Sequence, residues 1–286
     1  NVKFDYNYDA ANNLVQTKDA INGQNKGVTN YVYDALNRAT QLNQSGNGVV
    51  DKRVDLAYDA ASQMSLMTRY QNLTGSNQVA KSDYQYDAVG RLTGLKHSHN
   101  GNTIADYGWT YDAGSRITKS TSPDGVADYN YDSTNQLTGT DNSDRSNENY
   151  TYDSNGNRVG NGYSTGANNQ LLSDGTYNYE YDGEGNRTKR TEIATGIVDE
   201  YVWDYRNRLT NVVTKNNGGG VIKSAEYTYD AFDKRISKKV DADGDGAGSA
   251  NVERFVYDGD NLALVFDGNG NQKERFLHGT GVDSVI

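Results

Sequence analysis

The sequence predicts an all-β protein, a repetitive ribbon of antiparallel β-hairpins that coils into a curved or spiral, shell-like sheet. Three observations carry that reading. A Tyr-x-Tyr-Asp signature returns along the whole chain, as in "YVYDALNRATQL" (31–42), "YQYDAVGRLTGL" (84–95) and "YTYDAFDKRISKK" (227–239). Its Asp recurs eleven times, at steps of 20 to 29 residues, and periods of that size mark repeat architectures. Leu, Ile and Val are scarce, while Tyr supplies 23 of the 30 aromatic residues (23 Tyr, 2 Trp, 5 Phe). Such a chain orders itself through rings that bury area and keep a polar handle, not through an aliphatic core.

Each unit opens on an outgoing strand. The residue before the Asp is Tyr8, Tyr33, Tyr58, Tyr86, Tyr111, Tyr131, Tyr152, Tyr181, Trp203, Tyr229 or Tyr257. Two residues earlier the position is aromatic in ten of eleven units, with Leu56 as the exception. A spacing of two puts both side chains on one face of a β-strand, and the mostly polar residue between them on the other. Rings on that face are expected to stack between neighbouring strands.

The turn comes next. Asp9, Asp34, Asp59, Asp87, Asp112, Asp132, Asp153, Asp182, Asp204, Asp230 and Asp258 end the outgoing strands. An Asp there accepts hydrogen bonds from backbone N–H groups just ahead, an Asx-turn. Three residues later stand Asn12, Asn37, Ser62, Gly90, Ser115, Asn135, Gly156, Gly185, Asn207, Asp233 and Asn261. Gly and Asn dominate this set, and both tolerate the left-handed backbone a tight turn needs.

An Arg usually follows: Arg38, Arg91, Arg116, Arg158, Arg187, Arg208 and Arg235. It is expected to lay its stem over a Tyr ring or to pair with a nearby carboxylate. An aliphatic residue such as Leu92, Ile117 or Leu209 then starts the return strand. The loops at the far end vary, as in "SGNG" (45–48), "SPDG" (122–125) and "NNGGG" (216–220), which accounts for the uneven step. Eleven copies of one Asp and Arg pattern point to a cap built eleven times, not to acid–base catalysis.

Bulk properties exclude several functions. The net charge of −10 argues against nucleic acid or an anionic membrane as main partner. The absence of Cys excludes disulfides and thiolate chemistry. No apolar run approaches the ~20 residues that span a bilayer as a helix. The chain opens on "NVKFDYNYDA", already inside a repeat, and is expected to be a piece of a longer polypeptide.

The Tyr-Asp dipeptide, the Gly/Asn turn position, the Arg-Leu that follows and the recurring period together resemble YD repeats, also called RHS repeats. The resemblance covers essentially the whole chain. Tandem repeats would fill 1–258. Residues 259–286 would form the last hairpin leading into an RHS-associated core, with Gly279, Gly281 and Asp283 as the Gly-x-Gly-x-Asp element at its start. The family implies a non-enzymatic structural scaffold in a secreted or cell-surface bacterial protein. Its shell encloses or presents a C-terminal toxin domain, so the partner is the rest of the same polypeptide. The family's autoproteolytic core uses acidic residues near an Asp-Pro segment. Here the one proline is Pro123 and no Asp-Pro pair occurs, so no catalytic residue is carried over.

Three further features carry expectations. "DADGDG" (241–246) sets Asp241, Asp243 and Asp245 in alternation, like the first half of a calcium loop. The residue at loop position twelve is Val252 where that motif needs Glu, so a solvated acidic hairpin tip stands beside the calcium reading. His97 and His99 would share a strand face, but no third ligand accompanies them, and two exposed residues before a turn is the plainer reading. Trp109 and Trp203, with the tyrosines, offer stacking platforms for a glycan. A carbohydrate- or wall-binding module is therefore the alternative function. Exposed strand edges also make a homo-oligomer conceivable.

Overall fold

The computed structural model describes residues 1–244, 246 and 248–279. Among them are 26 β-strands and one short 3-10 turn, Ala167–Asn169, so the protein is all-β. Contacts divide the chain into two compact units, Asn1–Asn149 and the part from Tyr150 on. The first unit is one sheet of thirteen strands running in chain order from Val2–Tyr8 to Glu148–Asn149. The second holds the small pair Thr151–Tyr152 and Arg158–Val159, then an eleven-stranded sheet from Tyr163–Thr165 to Gln272–Arg275, again in chain order. Each strand in these sheets pairs antiparallel with its neighbour in sequence, a pure meander.

The contact division falls at 149/150, inside the stretch that the repeats are expected to fill through residue 258. Its physical cause is local. Around the boundary the sequence "DNSDRSNENYTYDSNGNRVGNGYSTG" is almost all polar turn formers. The strands there shrink to two or three residues, too short for long ladders.

The apolar core is thin. In the first unit Leu42 pairs with Val54 and Leu56 with Met67 across adjacent strands, and all four are buried. Leu56 is the one aliphatic residue in an otherwise aromatic slot. In the second unit Leu264, Val265 and Phe266 are buried along the strand Asn261–Asp267. Most of the repeat rings are half-buried, whereas Tyr8, on the edge strand, is 57% exposed.

A regular irregularity marks the turn end of the hairpins. The ring residue before the Asp pairs with the residue five positions after that Asp, as in Tyr33 with Ala39, Tyr86 with Leu92 and Trp203 with Leu209, and the register slips by one there. Each such slip is a β-bulge, which re-aims side chains and increases local twist.

Candidate functional site: the repeated turn and its tyrosine ladder

The Asp87 turn shows how one cap is built. The Asp87 N–H donates to the Arg91 carbonyl, and the Gly90 N–H donates to the Asp87 carbonyl, each at 3.0 Å. Asp87 Oδ1 then accepts from the amides of Val89 and Arg91, also at 3.0 Å. Its other oxygen, Oδ2, takes the Arg91 guanidinium at 2.6 Å. A five-residue stretch thus closes with one carboxylate spanning three donors.

The same backbone pair recurs at Asp9, Asp34, Asp59, Asp112, Asp132, Asp153, Asp182, Asp204 and Asp230. In all ten turns the third residue after the Asp has positive φ, from Asn37 at 57° to Gly90 and Gly185 at 87°. The amide of the residue at the fourth position, with its guanidinium, holds the Asp34, Asp87 and Asp112 carboxyls below the usual carboxylate range.

Asp258 departs from this pattern. It pairs with Asn261 across the two-residue turn Gly259–Asp260, and the left-handed residue is Gly259, not Asn261. The cap expected there lies nine residues on, at Asp267. Its Oδ1 accepts from the Asn269 and Asn271 amides, and Gly270 has φ 86°. Sequence reasoning missed it because Phe266 stands where a Tyr was sought; "DGNGN" (267–271) was the available signal. A second missed turn is Gly166–Gln170, where the Gly166 N–H donates to the Gln170 carbonyl with no Asp at all. It explains the long step from Asp153 to Asp182, because a degenerate hairpin sits between them.

The tyrosine hydroxyl is what joins one hairpin to the next. Tyr33, Tyr58, Tyr86, Tyr111 and Tyr131 donate to the carbonyls of Leu14, Ala39, Met64, Leu92 and Ile117 at 2.6–3.0 Å. In the second unit Tyr181, Tyr229 and Tyr257 donate likewise to Leu171, Leu209 and Arg235. Every acceptor lies five residues after the start of the preceding turn, and Leu171 does so relative to Gly166. Trp203 obeys the rule with its indole N–H, which donates to the Arg187 carbonyl at 2.9 Å. A phenylalanine has no such donor, so a Tyr or Trp is needed wherever this bond is made.

The arginines fall into two groups. Those at the fourth position after the Asp are Arg38, Arg91, Arg116 and Arg208. Each binds its own Asp and lies over the ring of the next unit, Tyr58, Tyr111, Tyr131 or Tyr229, at 4.6–5.0 Å. Three of them also reach the next turn's backbone: Arg91 Nη1 donates to the Asp112 carbonyl, Arg116 to Asp132 and Arg208 to Asp230. Arg158, Arg187 and Arg235 stand one position later, where other units carry an aliphatic residue. Each instead lies against two rings, as Arg158 does with Tyr150 and Tyr163 at 4.2 and 4.5 Å. These three begin their return strands, one residue past the turn position from which the cap arginines reach their own Asp. At the fourth position their turns have Asn157, Asn186 and Lys234, the first two of which donate to their own Asp.

Across neighbouring strands, His97 meets the Tyr107 ring edge-on at 6.1 Å. The ring contacts Tyr107–Trp109 and Tyr177–Tyr179 each lie within a single strand. The strand-to-strand link is hydroxyl to carbonyl and guanidinium to ring.

Two measurements test the cap and a half-buried tyrosine hydroxyl. Asp87→Ala is expected to lower the melting temperature by a few degrees, and Asp87→Asn by less, because Asn keeps the Oδ1 acceptor and loses only the ion pair. Equal melting temperatures for wild type and both variants would rule out the cap. The second concerns alkaline pH. Tyr179 donates to Asp174 Oδ2 at 2.6 Å, and burial together with that carboxylate pushes its phenol up to about 12. Unfolded tyrosine ionises near ~10, so the folded state holds the proton more tightly. This contribution to stability is complete below that pH and is lost as pH rises through about 12. Tyr179→Phe is expected to flatten the fall in urea-unfolding stability across that window; an unchanged slope would count against it.

The other candidate residues are placed as follows. Asp241 Oδ1 accepts from the Asp243 amide, and Asp243 Oδ2 from the Gly248 amide at 2.8 Å. Asp245 lies outside the described residues, as do Gly281 and Asp283, while Gly279 is described. Among the described residues no group of three His, Cys, Asp or Glu is placed to hold a metal ion. His97 is half-buried, bonded through Nδ1 to Ser82 at 2.8 Å, so it is not the exposed residue expected; His99 is exposed beside Asn100. Trp109 lies 6.3 Å from Tyr107 with the ring planes only 11° apart.

The Teneurin YD-shell family model matches residues 1–260. The tRNA3(Ser)-specific nuclease WapA of Bacillus spizizenii is 33% identical over 135 residues, 43% of this chain and 5% of that protein. A Dickeya dadantii protein named "Probable deoxyribonuclease RhsA" is 29% identical over 99 residues, 34% of this chain and 6% of its own length. The chain therefore spans about a twentieth of the curated relatives it matches. Among solved structures, TcdB2–TccC3–Cdc42 superposes with a TM-score of 0.60 at 11% identity, over 97% of this chain and 17% of that one. At that identity the match speaks for the fold.

Proposed function

The chain belongs to the Teneurin YD-shell family, and from that premise we propose that it is a non-enzymatic wall segment of a secreted or surface bacterial protein whose shell encloses a toxin domain of the same polypeptide. One observation supports this reading above the rest. The repeated Asp, Tyr and Arg side chains are spent on one another and on the backbone, turn after turn. A catalytic centre needs a group held ready for substrate, whereas a wall needs the same joint many times. Stability in such an array is a sum of unit and neighbour terms, so the wall stays rigid while its length varies. The relatives' nuclease names belong to proteins about twenty times longer than the matched stretch, and the enclosed cargo is part of the proposal.

The test uses a full-length protein carrying this sequence. Under native conditions a nonspecific protease should leave the enclosed domain intact. It should begin to cut that domain at the urea concentration where the repeats melt. Degradation in native buffer at the rate of the isolated domain would refute enclosure. Glycan binding is the alternative, favoured by the near-parallel Tyr107 and Trp109 rings. Glycan-array signal abolished by Trp109→Ala or Trp203→Ala would decide for it.

A further inference from the structure

Three turns of the first unit hold a guanidinium in one kind of slot. Its floor is the ring of the next tyrosine and its wall the carboxylate of its own Asp. Arg38 lies 4.7 Å from the Tyr58 centroid and 2.7 Å from Asp34 Oδ2. Arg91 lies 4.6 Å from Tyr111 and 2.6 Å from Asp87 Oδ2. Arg116 lies 4.6 Å from Tyr131 and 2.7 Å from Asp112 Oδ2.

Among the described residues, the Asp59 turn has the carboxylate and the next ring but no guanidinium between them. Its fourth residue is Gln63, whose Nε2 donates to the Gly90 carbonyl at 3.0 Å and bypasses the carboxylate. Asp59 Oδ1 still caps the turn, accepting from the Ala61 and Gln63 amides. Among the described residues no side chain pairs with Asp59 Oδ2, and no cation lies over the Tyr86 ring. An open groove of about 750 Å3 occupies this place, lined by Asp59, Ala60, Ala61, Ser65, Tyr84 and Tyr86. Gln63 and the exposed Val89 also line it. Burial raises the Tyr86 phenol, and Tyr84 and the Asp59 carboxylate add to that shift, which agrees with the acid lying close to the ring. Asp87, also on the groove, is already neutralised by Arg91.

We propose that this groove is a binding site for the arginine side chain of a second polypeptide, whose guanidinium takes the position that Arg38, Arg91 and Arg116 take at their own turns. The chemistry selects arginine over lysine, because a flat guanidinium can lie on the Tyr86 ring while its edge donates to Asp59 Oδ2. The chain's net charge of −10 favours the approach of a basic segment.

The test is a titration of the whole chain with N-acetyl-arginine methylamide, followed by amide NMR. Saturable shifts are expected at Asp59, Gln63 and Gly90, with citrulline and lysine analogues weaker by about tenfold or more. Asp59→Asn should lose the response. Gln63→Arg should fill the slot from within, abolish binding of the probe and melt no lower than wild type, which shows that the fold survives. The proposal falls if wild type gives no saturable shift, if citrulline matches arginine, or if Gln63→Arg binds the probe as before. These outcomes are independent of the enclosure assay.

Discussion

Tyr111→Ala is expected to destabilise the protein by about 3 kcal/mol, and Tyr111→Phe by about 1 kcal/mol, because the two variants remove different parts of one joint. The hydroxyl donates to the Leu92 carbonyl at 2.6 Å, and the ring lies under Arg91 at 4.6 Å. Phe keeps the ring and loses one hydrogen bond, worth about 1 kcal/mol. Ala loses in addition the ring's burial and a cation–π contact, the latter worth about 0.5–1 kcal/mol. Urea unfolding of both variants checks the ranking. Equal losses would mean that the ring contributes nothing beyond its hydroxyl.

Gly46→Ala is expected to cost on the order of 3 kcal/mol, through backbone and not through packing. Gly46 sits at φ +144°, a region closed to residues with a Cβ, and an added methyl would run into the Lys26 carbonyl. That carbonyl accepts from the Asn47 amide at 2.9 Å, so moving it aside breaks a loop bond as well. Gly48→Ala is the control. Gly48 has φ +73° and open space around it, so only the left-handed penalty of about 1 kcal/mol applies. A Gly46 variant as stable as the Gly48 variant would show that the close approach is absent in solution.

What the sequence makes legible is what a few adjacent residues decide. The Asp87 cap lies within residues 87–91, so its Asp, its left-handed Gly90 and its Arg91 read directly from the chain. The Tyr111 bond to Leu92 joins residues 19 apart and depends on a register that a bulge sets, so no local pattern announces it. Arg187 looks like Arg91 in sequence but stands one residue later, on the first residue of the return strand, where it lies against Tyr179 and Tyr201 instead of capping the turn. Asp258 satisfies the Tyr-Asp spelling, yet Gly259 and Asp260 close a tighter turn before the cap can form. Asp267 builds the cap without the spelling, since the backbone geometry needs an acceptor and a left-handed residue, not a Tyr. The slot at Asp59 was hidden for the converse reason. Its meaning lies in the arginine that Gln63 replaces, and only the filled slots at Asp34, Asp87 and Asp112 reveal that.

The joint between successive hairpins is tested most directly by a pair of double-mutant cycles. One combines Arg91→Gln with Tyr111→Leu, which touch across adjacent units; the other combines Arg38→Gln with Tyr111→Leu, which do not. Coupling of about 0.5–1 kcal/mol in the first cycle and none beyond error in the second is the predicted result. Equal coupling in both, or none in either, would contradict a protein held together by neighbour-to-neighbour contacts of guanidinium and ring.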